Sequence, residues 1–230
     1  MDRSKQKQQG ALLCLFAVVL AAAAAEATPT ANLTLHNLCP HPVWPLISSN
    51  AGLPAITDVG APTRLDGNGE GLATLTFPPG AWSGRVVART GCSEVDDGRG
   101  PKSKCDTGDA PPVTVAQVSV HGPGGLAEYS VSLVDGFNVA VVITPHGFEQ
   151  GRQCPSLGCA VDLGVDCPGD ARAPGGGCLA LAGQAQLFKE RCPDTRTTPT
   201  DVEATPQRCL EPGELKVVFC PTENTSILFN

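Results

Sequence analysis

The chain has 230 residues, 41% of them hydrophobic, and carries 16 Lys and Arg against 23 Asp and Glu, a net charge of −7. An acidic chain with no basic cluster argues against nucleic acid and against anionic membrane surfaces as partners. Gly and Pro together make up 47 residues, about a fifth, below the roughly 25–30% typical of disordered chains, so short strands joined by dense turns are the better interpretation.

The N-terminus has the pattern of a secretory signal peptide. A basic start is followed by an apolar run over residues 11–25 and by small residues ending at Ala27. This order is typical of a signal peptide, and the run is too short for a confident transmembrane anchor. We predict a signal peptide over residues 1–27, cleaved after Ala27, with cleavage after Ala25 as the alternative.

The mature chain would then have 203 residues and a net charge of −8. This length suits one domain with its own core, predicted over residues 28–222, followed by a C-terminal tail over residues 223–230. We expect a monomer that carries no transmembrane anchor.

Apolar alternation with period two recurs along the chain and predicts strands. Leu33 and Leu35 share one face of the first, and the segment 71–77 alternates in the same way. The segment 113–120 places Gln117 and Ser119 on one face and Ala116, Val118 and Val120 on the other, and the turn at 121–125 joins it to the next strand. Such spacing suggests a mainly β fold, an antiparallel sandwich or barrel.

The stretch LAEYSVSLVDGFNVAVVITP, residues 126–145, predicts two strands folded over the turn Val134-Asp135-Gly136. From Cys154 to Cys209 the composition changes, because cysteines become frequent. The best helical candidate, GQAQLFKERC at 183–192, lies there. We therefore predict a small disulfide-stapled lobe packed on the sandwich.

Cys14 would leave with the signal peptide, and an even number of cysteines remains, which implies disulfides in a secreted chain. The ten are Cys39, Cys92, Cys105, Cys154, Cys159, Cys167, Cys178, Cys192, Cys209 and Cys220. No C-x-x-C motif occurs and the four histidines are scattered, so we predict no metal site and no cofactor. The segment DGNGEG, 66–71, resembles the start of a calcium loop but has Phe77 where the bidentate glutamate belongs, so it predicts a plain turn. Asn32 and Asn224 head N-glycosylation sequons.

Seven phrases occur in the order found in thaumatin-like proteins, the plant pathogenesis-related class 5 family. They are GRVVARTGC (84–92), GRGPKSKCDTGD (98–109), TVAQVSV (114–120), YSVSLVDGFNV (129–139), APGGGC (173–178), KERCPD (189–194) and VVFCPT (217–222). The chain resembles the short, ten-cysteine branch of this family. The resemblance implies the pairs Cys39–Cys220, Cys92–Cys105, Cys154–Cys209, Cys159–Cys192 and Cys167–Cys178.

The family's acidic cleft, built from one Arg, one Glu and three Asp, is held to bind β-1,3-glucan. The resemblance places these five positions at Arg85, Gln117, Ser130, Asp135 and Asp201. Two of the four acids are thus neutral here. Because glycoside hydrolysis generally needs two carboxyl groups, we predict ligand binding without efficient catalysis and assign no catalytic residue.

Alternatives remain for the individual cleft residues. Glu128, two residues before Ser130 on the same strand face, is a partial substitute for a missing acid. Asp135 is interpreted as a turn residue with a residual role in polar binding. Arg85 pairs with Asp135 to hold the turn, contacts the ligand, or does both, since the two roles are compatible.

The resemblance implies a secreted, disulfide-hardened plant defence protein that binds a fungal wall polysaccharide. Two alternatives stay open: an inhibitor of microbial xylanase-type hydrolases acting through the loop 93–104, and a weak endo-β-1,3-glucanase. Extracellular localisation is favoured, with the vacuole as the alternative because of the C-terminal tail.

Overall fold

The structure, a computed structural model, describes residues 30–56, 63–96, 101–201 and 207–221. Within these ranges the elements are β1 (Asn32–Asn37), β2 (Trp44–Ser49), β3 (Gly71–Thr76), β4 (Trp82–Arg89), β5 (Ser93–Asp96), β6 (Pro101–Lys104), β7 (Val115–Val120), a 3-10 turn (Pro123–Gly125), β8 (Leu126–Ser132), β9 (Val141–His146), β10 (Leu157–Cys159), α1 (Gln184–Arg191), β11 (Thr195–Arg196), β12 (Arg208–Leu210) and β13 (Glu214–Phe219). The predicted signal peptide, the C-terminal tail and Asn224 lie outside them. Nowhere in these ranges is a helix long and apolar enough to span a membrane.

Two sheets face each other across one core, so the predicted mainly β sandwich is confirmed. The first has the strand order β10–β9–β13–β1–β3, and the second has β11–β8–β7–β4–β2 with β12 added beside β8. Strands of both sheets contribute to one cluster of buried side chains, for example Leu35 of β1, Val217 of β13, Val86 of β4 and Val118 of β7. Apolar residues alternate with period two in the sequence because one face of each strand packs on the opposite sheet.

The sequence analysis expected purely antiparallel sheets, but both sheets also contain a parallel pair of strands. β1 pairs with β13 in parallel, and β8 pairs with β11 in parallel. The first and last described strands thus lie side by side and end at the same edge, where a disulfide joins Cys39 to Cys220. Parallel partners need not be close in the chain, so their pairing leaves no local turn signal.

The two strands predicted within residues 126–145 exist as β8 and β9, but the pairing implied by folding them over one turn is wrong. β8 belongs to the six-stranded sheet and β9 to the five-stranded sheet. The connection between them crosses from one sheet to the other. It carries buried Leu133 and Phe137 into a second apolar cluster, which explains why its composition looks like that of a strand.

That second cluster lies under the cysteine-rich segment. It contains Phe188, the buried side chain of α1, together with the sulfur atoms of two disulfides. The helix predicted at 183–192 is confirmed as Gln184–Arg191. The segment is not a free-standing lobe, because β10 pairs with β9 while β11 and β12 both pair with β8.

Five disulfides are formed by the described residues: Cys39–Cys220, Cys92–Cys105, Cys154–Cys209, Cys159–Cys192 and Cys167–Cys178. They are the same five pairs that the family resemblance implies. Three of them tie the cysteine-rich segment together. One closes the hairpin formed by β5 and β6, and one joins the two ends of the domain.

Candidate functional site

A groove of about 790 Å³ lies on the outer face of the six-stranded sheet. Its wall and floor are mostly polar. The residues that line it are Asn50, Ser83, Gly84, Arg85, Gln117, Val118, Ser119, Glu128, Tyr129, Ser130, Arg196, Gln207 and Arg208.

Strand register builds the floor of the groove as rows of side chains. Arg85 on β4 lies opposite Gln117 on β7, which lies opposite Ser130 on β8. Two residues further along each strand, Ser119 lies between Ser83 and Glu128. Alternate residues of a strand point to opposite faces, so both rows face outward while the residues between them face the core.

Three of the five cleft positions implied by the resemblance therefore come together. The Ser130 hydroxyl donates to Gln117 Oε1 at 3.3 Å. Ser130 is buried, whereas Gln117 and Arg85 are exposed to the groove. Both members of this hydrogen-bonded pair are neutral, so this part of the floor can hold a sugar hydroxyl but supplies no ionisable acid.

Asp135 does not line the groove. It lies beyond the end of β8 in the turn predicted for it, with an exposed side chain, and its backbone carbonyl accepts from Val113 N at 3.0 Å. Among the described residues no carboxylate lies within 4.0 Å of the Arg85 guanidinium, so the expected Arg85–Asp135 pair is not formed. Arg85 is left facing the groove.

Asp201 also lies outside the groove lining. Its Oδ2 accepts from Thr197 N at 2.8 Å and from the Thr197 hydroxyl at 3.0 Å, and it pairs with Lys189 Nζ at 3.2 Å. The backbone N–H of Thr197, more than any other contact, holds the pKa of Asp201 below its usual value. Asp201 thus fastens the segment after β11 to α1.

We expect Asp201 to contribute to acid sensitivity. Its pKa is lower in the folded than in the unfolded chain, so its stabilisation is complete above about pH 4, the ordinary pKa of an aspartate, and is lost as the pH falls through the lowered folded value. The urea midpoint of Asp201→Asn should therefore fall less between pH 6 and pH 3 than that of the wild type. Asp170→Asn, which removes an equal charge from an exposed turn, is the control. If the urea midpoint falls equally between pH 6 and pH 3 for the wild type and for Asp201→Asn, this role is contradicted.

Among the described residues that line the groove, Glu128 is the one carboxylate. It lies opposite Arg208 of β12, and its side chain is exposed. General acid catalysis of glycoside hydrolysis needs a second carboxyl group about 5–5.5 Å or 6.5–9.5 Å away. The described residues of the lining, which do not include 202–206, offer no second carboxylate.

The sequence analysis missed several residues of this site. Ser83 and Ser119 follow directly from alternation on β4 and β7, since they lie two positions from Arg85 and Gln117. Arg196 and Arg208 reach the groove only because β11 and β12 pair with the same edge of β8. Strands of two and three residues carry too little periodicity to be found in the sequence.

One group of possible metal ligands occurs in the described part of the chain, where His41 lies beside Cys39 and Cys220. Both sulfur atoms belong to one disulfide. A thiolate, not a disulfide sulfur, is the usual cysteine ligand, so this group lacks the donors of a zinc site.

The fold, the groove and the disulfides agree with the comparison against known families. Residues 37–183 match the model of the thaumatin family. The chain belongs to the thaumatin family.

Its relatives include an osmotin-like protein of Solanum lycopersicum, 36% identical over 237 residues, covering 84% of this chain and 89% of the relative. A thaumatin-like protein of Actinidia deliciosa is 32% identical over 220 residues, covering 83% of this chain and 89% of the relative. A solved structure of a thaumatin-like xylanase inhibitor covers 82% of this chain and 99% of its own, with 22% identity and a TM-score of 0.47. That degree of similarity is too low to indicate a shared partner.

Proposed function

We propose that this protein is a secreted plant defence protein whose groove binds a cell-wall polysaccharide, such as fungal β-1,3-glucan, without cleaving it efficiently. Family membership and the five disulfides support a secreted, hardened binding protein. The observation that carries the non-catalytic part is that the described residues of the groove lining include a single carboxylate, Glu128.

The groove has the chemistry of a carbohydrate site. Its hydroxyl and amide groups, on Ser83, Ser119, Gln117 and Asn50, can donate to and accept from sugar hydroxyls. Asn50 Nδ2 already donates to the Ser83 hydroxyl at 2.8 Å, which fixes the orientation of one wall. A groove that is open along the sheet suits a polymer better than a small, enclosed ligand.

Filling the groove should weaken retention on insoluble β-1,3-glucan. Ser119 lies in the middle of the floor, so Ser119→Trp places an indole where the sugar would lie, and we expect its affinity to fall by about tenfold or more. Thr63→Trp is the matched control, because it adds the same ring at an exposed position away from the groove. Retention is measured by pull-down with increasing amounts of glucan.

Two outcomes of this pull-down would contradict the proposal. In one, the wild type passes through the glucan unretained. In the other, Ser119→Trp and Thr63→Trp are retained equally well, which would place any binding outside the groove.

One observation favours a second candidate function, inhibition of a secreted microbial xylanase-type hydrolase. The loop at 93–104 is a hairpin in which Ser93 pairs with Lys104 and Asp96 with Pro101, and the Cys92–Cys105 disulfide closes its base. A braced hairpin is a pre-organised binding element, since less order must be created on binding. Dose-dependent inhibition of fungal xylanases that disappears when the hairpin is shortened would favour this candidate over the first.

A further inference from the structure

The charge of the groove is opposite in sign to that of the whole chain. The chain has a net charge of −7, yet the described residues of the groove lining include three arginines, Arg85, Arg196 and Arg208, against one acid, Glu128. Even without Arg196, which makes a contact of its own, Arg85 and Arg208 outnumber Glu128 among these described residues. This reversal departs from the acidic cleft that the family resemblance implies, because two acid positions are now Gln117 and Ser130.

We propose that the groove prefers an anionic, carboxylate-bearing polysaccharide, a chain of uronic acid residues, over a neutral glucan. This inference deepens the proposed function and rests on the groove being a polysaccharide site. It concerns which sugar chain the groove selects.

The arginines stand where a ligand can reach them. Arg85 and Arg208 are exposed, and within the described ranges neither has a carboxylate within ion-pair distance. A guanidinium presents two parallel N–H donors that match the two oxygens of a carboxylate, so arginine suits this ligand better than lysine would.

The positions of the arginines suit a ligand that lies across the strands. Arg85 is on β4 and Arg208 on β12, with β7 and β8 between them. Between the two arginines lie Gln117, Ser119 and Ser130, whose neutral groups can bind the hydroxyls of the same chain. A polymer with regularly spaced carboxylates and hydroxyls would match this alternation of charged and neutral donors.

Acids elsewhere in the protein act on a ligand in the groove only over short distances in salt. At physiological ionic strength the Debye length is about 8 Å, so exposed acids farther than this from the groove act weakly on a ligand within it. Glu128 does lie in the groove, but Arg208 is directly opposite it on the paired strand. These two described side chains do not form an ion pair, so the Arg208 guanidinium stays available to a ligand.

The test compares an oligogalacturonate with its methyl ester by isothermal titration calorimetry on the full mature protein. The two ligands share one sugar backbone and differ in charge. We expect the free acid to bind about tenfold or more tightly at low salt, and this preference should shrink as salt is raised, since screening weakens exposed ion pairs. Binding of insoluble β-1,3-glucan is measured in parallel.

Variants test whether the arginines cause the preference for the free acid over the methyl ester. Arg85→Gln with Arg208→Gln should remove most of the preference for the free acid and lower binding of neutral glucan less. Arg64→Gln is the control, because it also removes one exposed guanidinium but does not line the groove. Gln117→Glu, which returns an acid to the floor, should likewise weaken binding of the free acid.

The outcomes separate this inference from the proposed function. Equal affinity for acid and ester, with β-1,3-glucan still bound, would overturn the inference and leave the proposed function standing. Binding of the free acid without binding of β-1,3-glucan would support the inference and contradict the glucan assignment. Tighter binding of a phosphorylated mannan than of oligogalacturonate would overturn the carboxylate assignment.

Discussion

Replacing both Cys39 and Cys220 by alanine is expected to lower the free energy of unfolding by about 5 kcal/mol, from the loop-closure entropy of a bridge that spans 181 residues. The other disulfides shorten the free part of this loop, but the dependence on loop length is logarithmic, so the expectation changes little. The bridge holds together the parallel pair β1 and β13, the first and last described strands. The measurement is urea unfolding followed by circular dichroism.

The Cys92–Cys105 bridge is the matched comparison, because it closes a loop of only 13 residues. The same entropy relation gives about 3 kcal/mol for its removal by two alanine substitutions. The double variant that removes Cys39–Cys220 should therefore lose more free energy of unfolding than the one that removes Cys92–Cys105. A larger loss for the short bridge would mean that packing or native geometry, not loop length, decides what each disulfide contributes.

Trp82→Ala is expected to lower the free energy of unfolding by about 3–5 kcal/mol, the usual cost of truncating a buried aromatic side chain. Trp82 is 1% exposed, contacts Phe77 at a centroid distance of 5.2 Å and donates from Nε1 to Pro54 O at 2.9 Å. It is also the first residue of β4, the strand that carries Arg85. A Cβ added at Gly84 would come within 2.5 Å of the indole, so this position next to Arg85 has no room for a side chain.

The chain contains a second tryptophan that serves as the control. Trp44 is half-buried and packs against the Arg64 guanidinium, 5.7 Å from the ring centroid. An exposed contact of this kind contributes about 0.5–1 kcal/mol, so Trp44→Ala should cost clearly less than Trp82→Ala. If both variants lose the same free energy of unfolding, Trp82 is not the central packing element that its burial indicates.

The strands could be predicted from the sequence because their cause is local. Leu33 and Leu35, or Ala116 and Val118, alternate with polar neighbours wherever a strand has one face in the core. The helix at Gln184–Arg191 was predicted from its composition alone. The predicted pairing was wrong: β8 and β9 are adjacent in the chain but belong to different sheets. The connection between them reads like a strand because its Leu133 and Phe137 side chains are buried.

The candidate site, too, could be predicted from the sequence only in part. Arg85, Gln117 and Ser130 were assigned by position in the family pattern, and the register of β4, β7 and β8 places them in one row. Arg196 and Arg208 are invisible to any local pattern, because two very short strands bring them to β8. The charge of the groove depends on these two residues, and so it could be seen only in three dimensions.

The account depends on a groove that holds polysaccharide and whose described lining residues include one carboxylate, Glu128. Reducing-sugar release from soluble β-1,3-glucan by the pure protein tests it most directly. We expect no release above that of Glu128→Gln, which removes the single acid of the groove lining, while glucan is still retained by the wild type. Efficient release by the wild type that disappears in Glu128→Gln would show that this groove hydrolyses its ligand, and would contradict the account.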